Sequence, residues 1–375
     1  MRKTTIFLVA GEESGDLHGA NLVLALRQQR PDIRFIGYGG TRMAVAGVEL
    51  LEHCDDLAVM GFTEVIKNIN FFSNLLTATV QRIEDLRPER VILIDYPGFN
   101  LRLARRLAPS KIPVTYFILP QVWAWKEQRV RTIARYTDQA LCIFPFEEEW
   151  FRARGVAAQF VGHPFTEIEP AELDRNTFYK KHNLNPTRPL LVLFPGSRQQ
   201  EIHRHWPVFL QAARELAAET AAGRALQIVV GRARGVDLGN IPDGVAVEAD
   251  DPRLALRYGT AALVASGTAT LEAAVFDIPA VVAYRLSFFS YWLARWLVRV
   301  KHIAMVNLIA GRRLVPELIQ AEVNCANLKT AVRPLLTATG ARQALLNGYQ
   351  EVRATLGEPG AYHRAARLVL DKLES

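Results

Sequence analysis

Short apolar runs alternate with helix-patterned segments along most of this 375-residue chain, and they do so in two successive sets. The first set holds Ile6–Ala10, Phe35–Tyr38, Val91–Ile94, Val114–Ile118, Gln139–Phe144 and Gln159–Val161, with helices expected near Leu17–Gln29 and Arg42–Ala46. The second holds Leu190–Phe194, Leu226–Val230, Val245–Val247, Ala262–Ala265 and Ala280–Tyr284. Such runs read as strands buried on both faces, and their alternation with helices implies parallel sheets between helical layers. The fold class expected is therefore α/β, with two doubly wound, Rossmann-like domains. Pro, Asn and charge are densest from Gly162-His163-Pro164 to about Pro189, which marks the boundary. The expected domains are 1–164 and 165–341. Terminal helices over 342–375, broken near Gly357–Gly360, are expected to pack back on the first domain.

Ligands of open α/β sheets bind at the C-terminal ends of the strands. Two such ends in the second set suggest a nucleotide-sugar donor. The run Ala261–Ala265 leads into Ser266-Gly267-Thr268-Ala269-Thr270-Leu271-Glu272, a turn of small and hydroxyl residues opening a helix over Thr270–Phe276. Free backbone N–H groups there suit a diphosphate, and the Glu272 carboxylate suits the two hydroxyls of a ribose. The plainer reading is a capped helix with a chance Glu. Strand Leu190–Phe194 ends in Pro195-Gly196-Ser197-Arg198, followed by Glu201. Gly196 allows close backbone approach, and Arg198 brings a guanidinium fork matched to phosphate oxygens; the alternative is a turn with a solvated Arg.

The first strand is followed by Gly11-Glu12-Glu13-Ser14-Gly15-Asp16-Leu17-His18-Gly19. This glycine spacing is not the dinucleotide fingerprint, and three carboxylates would repel a pyrophosphate. A neutral, hydroxyl-rich ligand such as a sugar fits Gly11, Glu12, Ser14 and Asp16 better. The alternative is a tight turn with Ser14 as the helix N-cap. Asp95-Tyr96-Pro97-Gly98-Phe99-Asn100 ends an apolar strand, so Asp95 is either a desolvated general base or a turn-former. Gln121-Val122-Trp123-Ala124-Trp125-Lys126 offers aromatic faces to a sugar ring or anchors a core. His163 is a further candidate, for a diphosphate or as an acid, or else structural.

A net charge of +7 favours anionic partners, and with no nucleic-acid-binding signature the expectation is a nucleotide or a phospholipid surface rather than nucleic acid. Cys54, Cys142 and Cys325 form neither a metal spacing nor a disulfide framework, which fits a reducing cytoplasm. Thr5–Ala10 is too short for a secretory leader, and no run approaches the length of a membrane span. Two greasy segments remain. One runs from Met60 to Leu76 with Phe71, Phe72 and Leu75; the other, from Phe288 to Val300, carries Trp292 and Trp296 among Arg285, Arg295, Arg299 and Lys301. Each is either core or a contact for acyl chains and anionic lipid.

The ordered set of motifs resembles the lipid-A-disaccharide synthases, inverting glycosyltransferases of the GT-B fold whose two sheets face a cleft. The resemblance rests on Gly11–Asp16, Asp95–Asn100, Gln121–Lys126, Phe144–Glu147, Gly162–Pro164, Pro195–Arg198, Ser266–Glu272, Asn307–Arg312 and Pro316-Glu317. It departs at Glu13, where the family usually has a small residue, and at Val306, where Pro is common. The resemblance implies transfer of a sugar from UDP-2,3-diacylglucosamine to the 6-hydroxyl of 2,3-diacylglucosamine 1-phosphate, giving a β-1,6-linked disaccharide 1-phosphate and UDP. Asp95 would be the base, with Glu12, Asp16 and His163 as rivals. Gly11, Glu12, Ser14, Asp16, Asn100, Trp123 and His163 would line the acceptor site. Gly196, Ser197, Arg198, Ser266, Gly267, Thr268, Thr270 and Glu272 would hold the donor, and Asn307 the uracil. Phe71, Phe72, Leu75, Trp292 and Trp296 would meet acyl chains at the inner membrane, where the protein would sit peripherally. No Asp-x-Asp metal signature occurs, so no cofactor or metal is expected. Oligomeric state stays open, a homodimer included. A UDP-sugar 2-epimerase of similar fold, or a non-catalytic nucleotide-binding adaptor, are the rival readings.

Overall fold

Strands β1 (Thr5–Ala10), β2 (Arg34–Gly39), β3 (Glu49–His53), β4 (Arg90–Ile94), β5 (Val114–Phe117), β6 (Gln139–Cys142) and β7 (Ala158–Phe160) form one sheet in the order β3-β2-β1-β4-β5-β6-β7. Strands β8 (Leu190–Phe194), β9 (Gln227–Gly231), β10 (Val245–Glu248), β11 (Ala261–Ala265), β12 (Ala280–Tyr284) and β13 (Glu317–Ile319) form a second, β10-β9-β8-β11-β12-β13. This is a computed structural model, and it describes residues 4–54, 69–124, 126–167, 173–219, 225–265, 267, 269–286 and 302–374. Every neighbouring strand pair is parallel. Both orders reverse direction about a central pair, β1/β4 in one sheet and β8/β11 in the other. Those switch points are where doubly wound sheets open a crevice for ligands.

The apolar runs become strands because helices cover both of their faces. Ile6, Phe7, Leu8, Val9 and Ala10 are wholly buried, as are Val91–Ile94 and Leu190–Leu193. β3 and β13 were not expected from the sequence. β3 reads Glu-Leu-Leu-Glu-His and β13 spans three residues, so neither carries the apolar run of a central strand. Both lie at sheet edges, where one side needs no strand partner.

The first unit runs through Glu167 and regains the chain from Leu356 onward; the second runs to Thr355. The sequence alone assigns all of 342–375 to the first unit. Helix Gly340–Thr355 instead belongs to the second, where Tyr349 is fully buried and its hydroxyl accepts from Ala280 N at 3.2 Å. Arg342 donates to Thr260 O at 2.6 Å. Gly357 and Gly360 then break the path at φ 83° and 103°, and helix Ala361–Glu374 docks on helix Glu13–Gln29. Gln139 and Arg90 reach it with hydrogen bonds to Leu368 O (2.8 Å) and Lys372 O (3.1 Å).

Helix Ile69–Leu86 corrects part of the membrane expectation. Phe72, Leu76 and Ile83 are buried in the core of the first sheet, and Leu75 packs against it partly buried. Phe72 meets Phe99 edge-to-face at 5.4 Å. The apolar helical spacing therefore serves packing, and burial of the Phe72 ring stabilises by roughly 1.5–3 kcal/mol. Trp292 and Trp296 fall outside the described residues. Among those residues no helix is long and apolar enough to cross a membrane.

Candidate functional site

The switch point of the first sheet places Gly11 beside Asp95, because Ala10 and Ile94, the last residues of β1 and β4, are register partners. Asp95 and Tyr96 both adopt left-handed backbone, at φ 44° and 47°, which is strained for residues with a Cβ. Two buried donors hold the turn. Asn100 Nδ2 reaches the Asp95 carbonyl at 2.8 Å and the Tyr116 hydroxyl reaches it at 2.7 Å. The turn lays the Tyr96 ring over Gly11, where a Cβ would come within 2.3 Å of it. Gly11 is thus required by close approach to protein.

Burial pushes the Asp95 carboxyl up to about 7; the negative charge of Glu12 adds to this, and a hydrogen bond from Tyr96 N–H partly opposes it. A carboxyl near 7 matches the need of a general base working at neutral pH. Glu12, half-buried, is the N-cap of helix Glu13–Gln29, so the helix starts before Ser14; Ser14 is exposed and is not the cap. Asp16 has a different task from the one expected. Its two carboxylate oxygens accept from Gly40, Met43 and Arg42 N–H at 2.7, 2.9 and 3.0 Å, which caps helix Thr41–Val45. Asn100 is likewise turned to protein, wholly buried behind the Asp95 turn.

Trp123 and His163 are joined by an aromatic row that the motifs did not reveal. Trp123 packs edge-to-face on Phe146 at 5.1 Å, Phe146 stacks with Phe144 at 5.8 Å, and Phe144 lies 4.9 Å from the His163 ring. The Trp123 indole donates to Glu147 Oε1 at 2.9 Å, while Glu147 Oε2 accepts from Phe144 N and Ile143 N. Glu147 is wholly buried, which raises its carboxyl to about 7 against those hydrogen bonds; the charge of Asp95 adds to the rise. His163 is buried and pushed down to about 3, by burial first and by His18 second. Its Nδ1 accepts from Phe165 N at 3.0 Å, so the neutral ring carries its proton on Nε2. These surroundings make His163 a poor base at neutral pH.

In the second sheet the switch point lies between Pro195–Arg198 and Gly267–Glu272, since Phe194 and Val264 are register partners. Gly196 sits at φ 130°, and a Cβ there would meet Glu201 at 2.5 Å. Glu201 Oε2 accepts from Ser197 N at 3.0 Å, and Arg198 is exposed at the start of helix Gln199–Glu219. His205, wholly buried and not singled out by the sequence, fixes this loop from behind. Its Nδ1 pairs with Pro195 O at 3.0 Å and its Nε2 with Arg285 N at 2.9 Å. The first is a donor and the second an acceptor, so one neutral tautomer satisfies both.

Thr270 Oγ1 donates to Gly267 O at 2.9 Å, closing the turn into helix Ala269–Val275. Gly267 is exposed at φ 128°. Ser266 and Thr268 lie outside the described residues. Burial pushes Glu272 up to about 7; Arg253 opposes this and Asp251 adds to it. Arg253 is itself forked onto Asp251 at 2.8 and 3.0 Å.

Asn307 departs most from expectation. Its Oδ1 accepts from Leu314 N and Val315 N at 2.7 and 2.8 Å, and its Nδ2 donates to Glu317 Oε1 and Val315 O at 2.7 and 3.0 Å. It is wholly buried, and its side chain latches the loop instead of pointing at a ligand. Val306 occupies the second position of helix Met305–Ala310. N–H groups of a first turn have no intrahelical acceptor, so exchange with Pro leaves the helix ladder intact.

The sequence profile described as Lipid-A-disaccharide synthetase matches residues 6–370. Among curated proteins, the lipid-A-disaccharide synthase of Myxococcus xanthus is 42% identical over 376 residues, covering 98% of this chain and 97% of its own. Among solved structures, the calicheamicin glycosyltransferase CalG4 aligns with a TM-score of 0.61 at 16% identity, over 100% of this chain and 99% of that one. The UDP-GlcNAc 2-epimerase of Neisseria meningitidis, solved with UDP-GlcNAc, aligns at 0.64 and 12% identity, over 99% of both chains. Likeness at these identities establishes the shared fold, that of GT-B proteins.

Proposed function

The chain belongs to the lipid-A-disaccharide synthase family, and on that premise we propose how its residues divide the work of the reaction. The protein is a glycosyltransferase that condenses UDP-2,3-diacylglucosamine with 2,3-diacylglucosamine 1-phosphate, releasing UDP. The first unit takes the acceptor and the second the donor. Asp95 accepts the proton of the acceptor 6-hydroxyl as that oxygen bonds to the anomeric carbon of the donor. The bond from that carbon to the UDP oxygen breaks, and its electron pair leaves with UDP. Attack opposite the leaving phosphate inverts the centre.

The observation that carries this reading is the Asp95 turn. Its backbone is fixed by Asn100 and Tyr116, and its carboxyl is lifted to about 7. Arg198 and the Gly267 turn stabilise charge on the departing diphosphate, as preorganised donors do. Glu272 receives the ribose hydroxyls. With the Asn307 side chain used internally, backbone groups of the loop it latches are left to meet the uracil. Arg198 supplies the charge that a divalent ion supplies elsewhere, so chelation with EDTA leaves turnover intact.

Both substrates carry acyl chains, so the enzyme works against a lipid surface as a peripheral protein. With Phe72 in the core and Leu75 partly buried against it, the segment holding Trp292, Trp296 and its neighbouring cations carries that expectation. The epimerase reading rests on structures 12% identical, a likeness of fold alone. Mass spectrometry of a reaction containing both diacyl sugars tests the assignment. Disaccharide 1-phosphate with stoichiometric UDP is expected; a C2 epimer formed from UDP-N-acetylglucosamine alone, without disaccharide, rejects it.

A further inference from the structure

One buried carboxylate at the edge of the first sheet is used by no step of the reaction above. Strands β4, β5 and β6 lie side by side, and the segments that follow them carry Asp95, Trp123 and Glu147 in turn. Register pairs Ile94 with Phe117 and Phe117 with Leu141, so the three strands end level. Asp95 N–H donates to Phe117 O at 3.1 Å and Ile118 N–H to Leu141 O at 3.0 Å. Ile118, a β-branched residue, turns the chain there in left-handed backbone at φ 61°, a strained conformation.

Glu147 is the third residue of helix Pro145–Arg152 and has two tasks. Its Oε2 accepts from Phe144 N–H at 3.2 Å and Ile143 N–H at 3.3 Å, which caps the helix. Its Oε1 accepts the Trp123 indole N–H at 2.9 Å, from 24 residues away. The cap needs one oxygen, and a wholly buried carboxylate is costly to keep. An amide has one carbonyl oxygen, so it serves the cap or the indole and sets its NH2 against the other.

Trp123 is thereby held at two places, by its N–H and by Phe146, edge-to-face at 5.1 Å and 79°. Trp123 and Phe146 are half-buried while Phe144 and His163 are buried, so the row of rings opens at its Trp123 end. An indole fixed in this way presents a flat apolar face in one orientation, as the C–H face of a pyranose requires.

We propose that Glu147 is a positioning residue for the acceptor sugar. Its carboxylate fixes the Trp123 indole, and the indole carries the pyranose whose 6-hydroxyl meets Asp95. This rests on the functional reading above. Glu147 itself touches no substrate and acts through Trp123.

The test is a double-mutant cycle of Trp123→Phe and Glu147→Gln, with steady-state kinetics on both sugars and calorimetry of UDP. Tryptophan labelled with nitrogen-15 adds the indole N–H resonances. Each single variant raises KM for 2,3-diacylglucosamine 1-phosphate about tenfold, with kcat within about twofold and UDP affinity unchanged. The double variant is no worse than Trp123→Phe alone. The resonance that Trp123→Phe removes shifts upfield in Glu147→Gln, and in wild type it moves on titration with the acceptor sugar. Additive losses, or a loss in Glu147→Gln that falls on kcat and UDP affinity alike, would mean a helix cap alone and overturn the proposal. Trp123→Phe leaves the cap intact, so it decides the matter if Glu147→Gln does not fold: a wild-type KM there overturns the proposal too. Failure of the wild type to form disaccharide from the two sugars would instead reject the glycosyltransferase reading itself.

Discussion

Tyr116 donates its hydroxyl proton to the backbone carbonyl of Asp95 at 2.7 Å, tying β5 to the turn that ends β4. The bond supports a left-handed backbone at Asp95 that would otherwise relax. In Tyr116→Phe, Asn100 alone remains on that carbonyl. Loss of one such bond is worth about 1 kcal/mol, so kcat falls about fivefold with KM for both sugars little changed. Steady-state kinetics on the two substrates distinguish this from a binding defect.

Asp95 also sets a pH dependence. Burial raises its carboxyl from the ordinary value of 3.8 to about 7 in the folded chain. The folded state then binds the proton more tightly, so this group's stabilisation is full below about pH 4 and is lost as pH rises through about 7. Asp95→Asn removes the buried charge. Its melting temperature relative to wild type therefore climbs between pH 5 and pH 8. With Asp95 as the proposed base, catalysis should run the other way, because the base must be ionised, and wild-type kcat/KM should rise through about pH 7 to a plateau. Parallel melting and rate profiles check both signs.

The donor side carries its own titration. Ribose hydroxyls donate to a carboxylate, so with Glu272 in its proposed role UDP binding should favour the ionised side chain over the protonated form that burial promotes. UDP affinity measured by calorimetry should rise with pH through about 7 in wild type and stay flat in Glu272→Gln. Arg198→Ala should weaken UDP by roughly 1–3 kcal/mol at all these pH values.

Asn307→Ala separates a latch from a ligand contact. The substitution deletes four hydrogen bonds inside the second unit and takes its acceptor from the buried N–H of Val315, while Leu314 N–H keeps Arg312 O at 2.9 Å. The cost is roughly 2–3 kcal/mol of stability, read as a lowered melting temperature. UDP affinity below the melting range changes less than the stability does. Unchanged melting with lost affinity would return the side chain to the uracil.

What the sequence disclosed was local and what it hid was long-range. The apolar runs that became β1, β4, β8 and β11 fixed the two sheets, and the turns ending them fell at the switch points. Asp95, Arg198 and Glu272 stand out in the sequence as polar residues just past buried strands, and folding puts all three at the two switch points. Tyr116 and His205 do not, since each acts through a partner brought close only by folding. Asp16 invites reading as a ligand because it stands among glycines, and Asn307 because the family resemblance assigns it to the uracil. Their hydrogen-bonding groups are met by backbone about 25 residues away for Asp16, and by backbone and the Glu317 carboxylate about 8 residues away for Asn307. Phe72 and Leu75 show the reverse case. Apolar helical spacing beside basic residues suits a membrane face and a core face alike, and only the covering sheet decides.

The most direct test of the account is the turnover of Asp95→Asn with both diacyl sugars, followed by mass spectrometry of the disaccharide and calorimetry of UDP binding. The account predicts a fall in turnover on the order of 10² to 10⁴, the usual share of a general base, with UDP affinity unchanged. Near-normal turnover in that variant would contradict it.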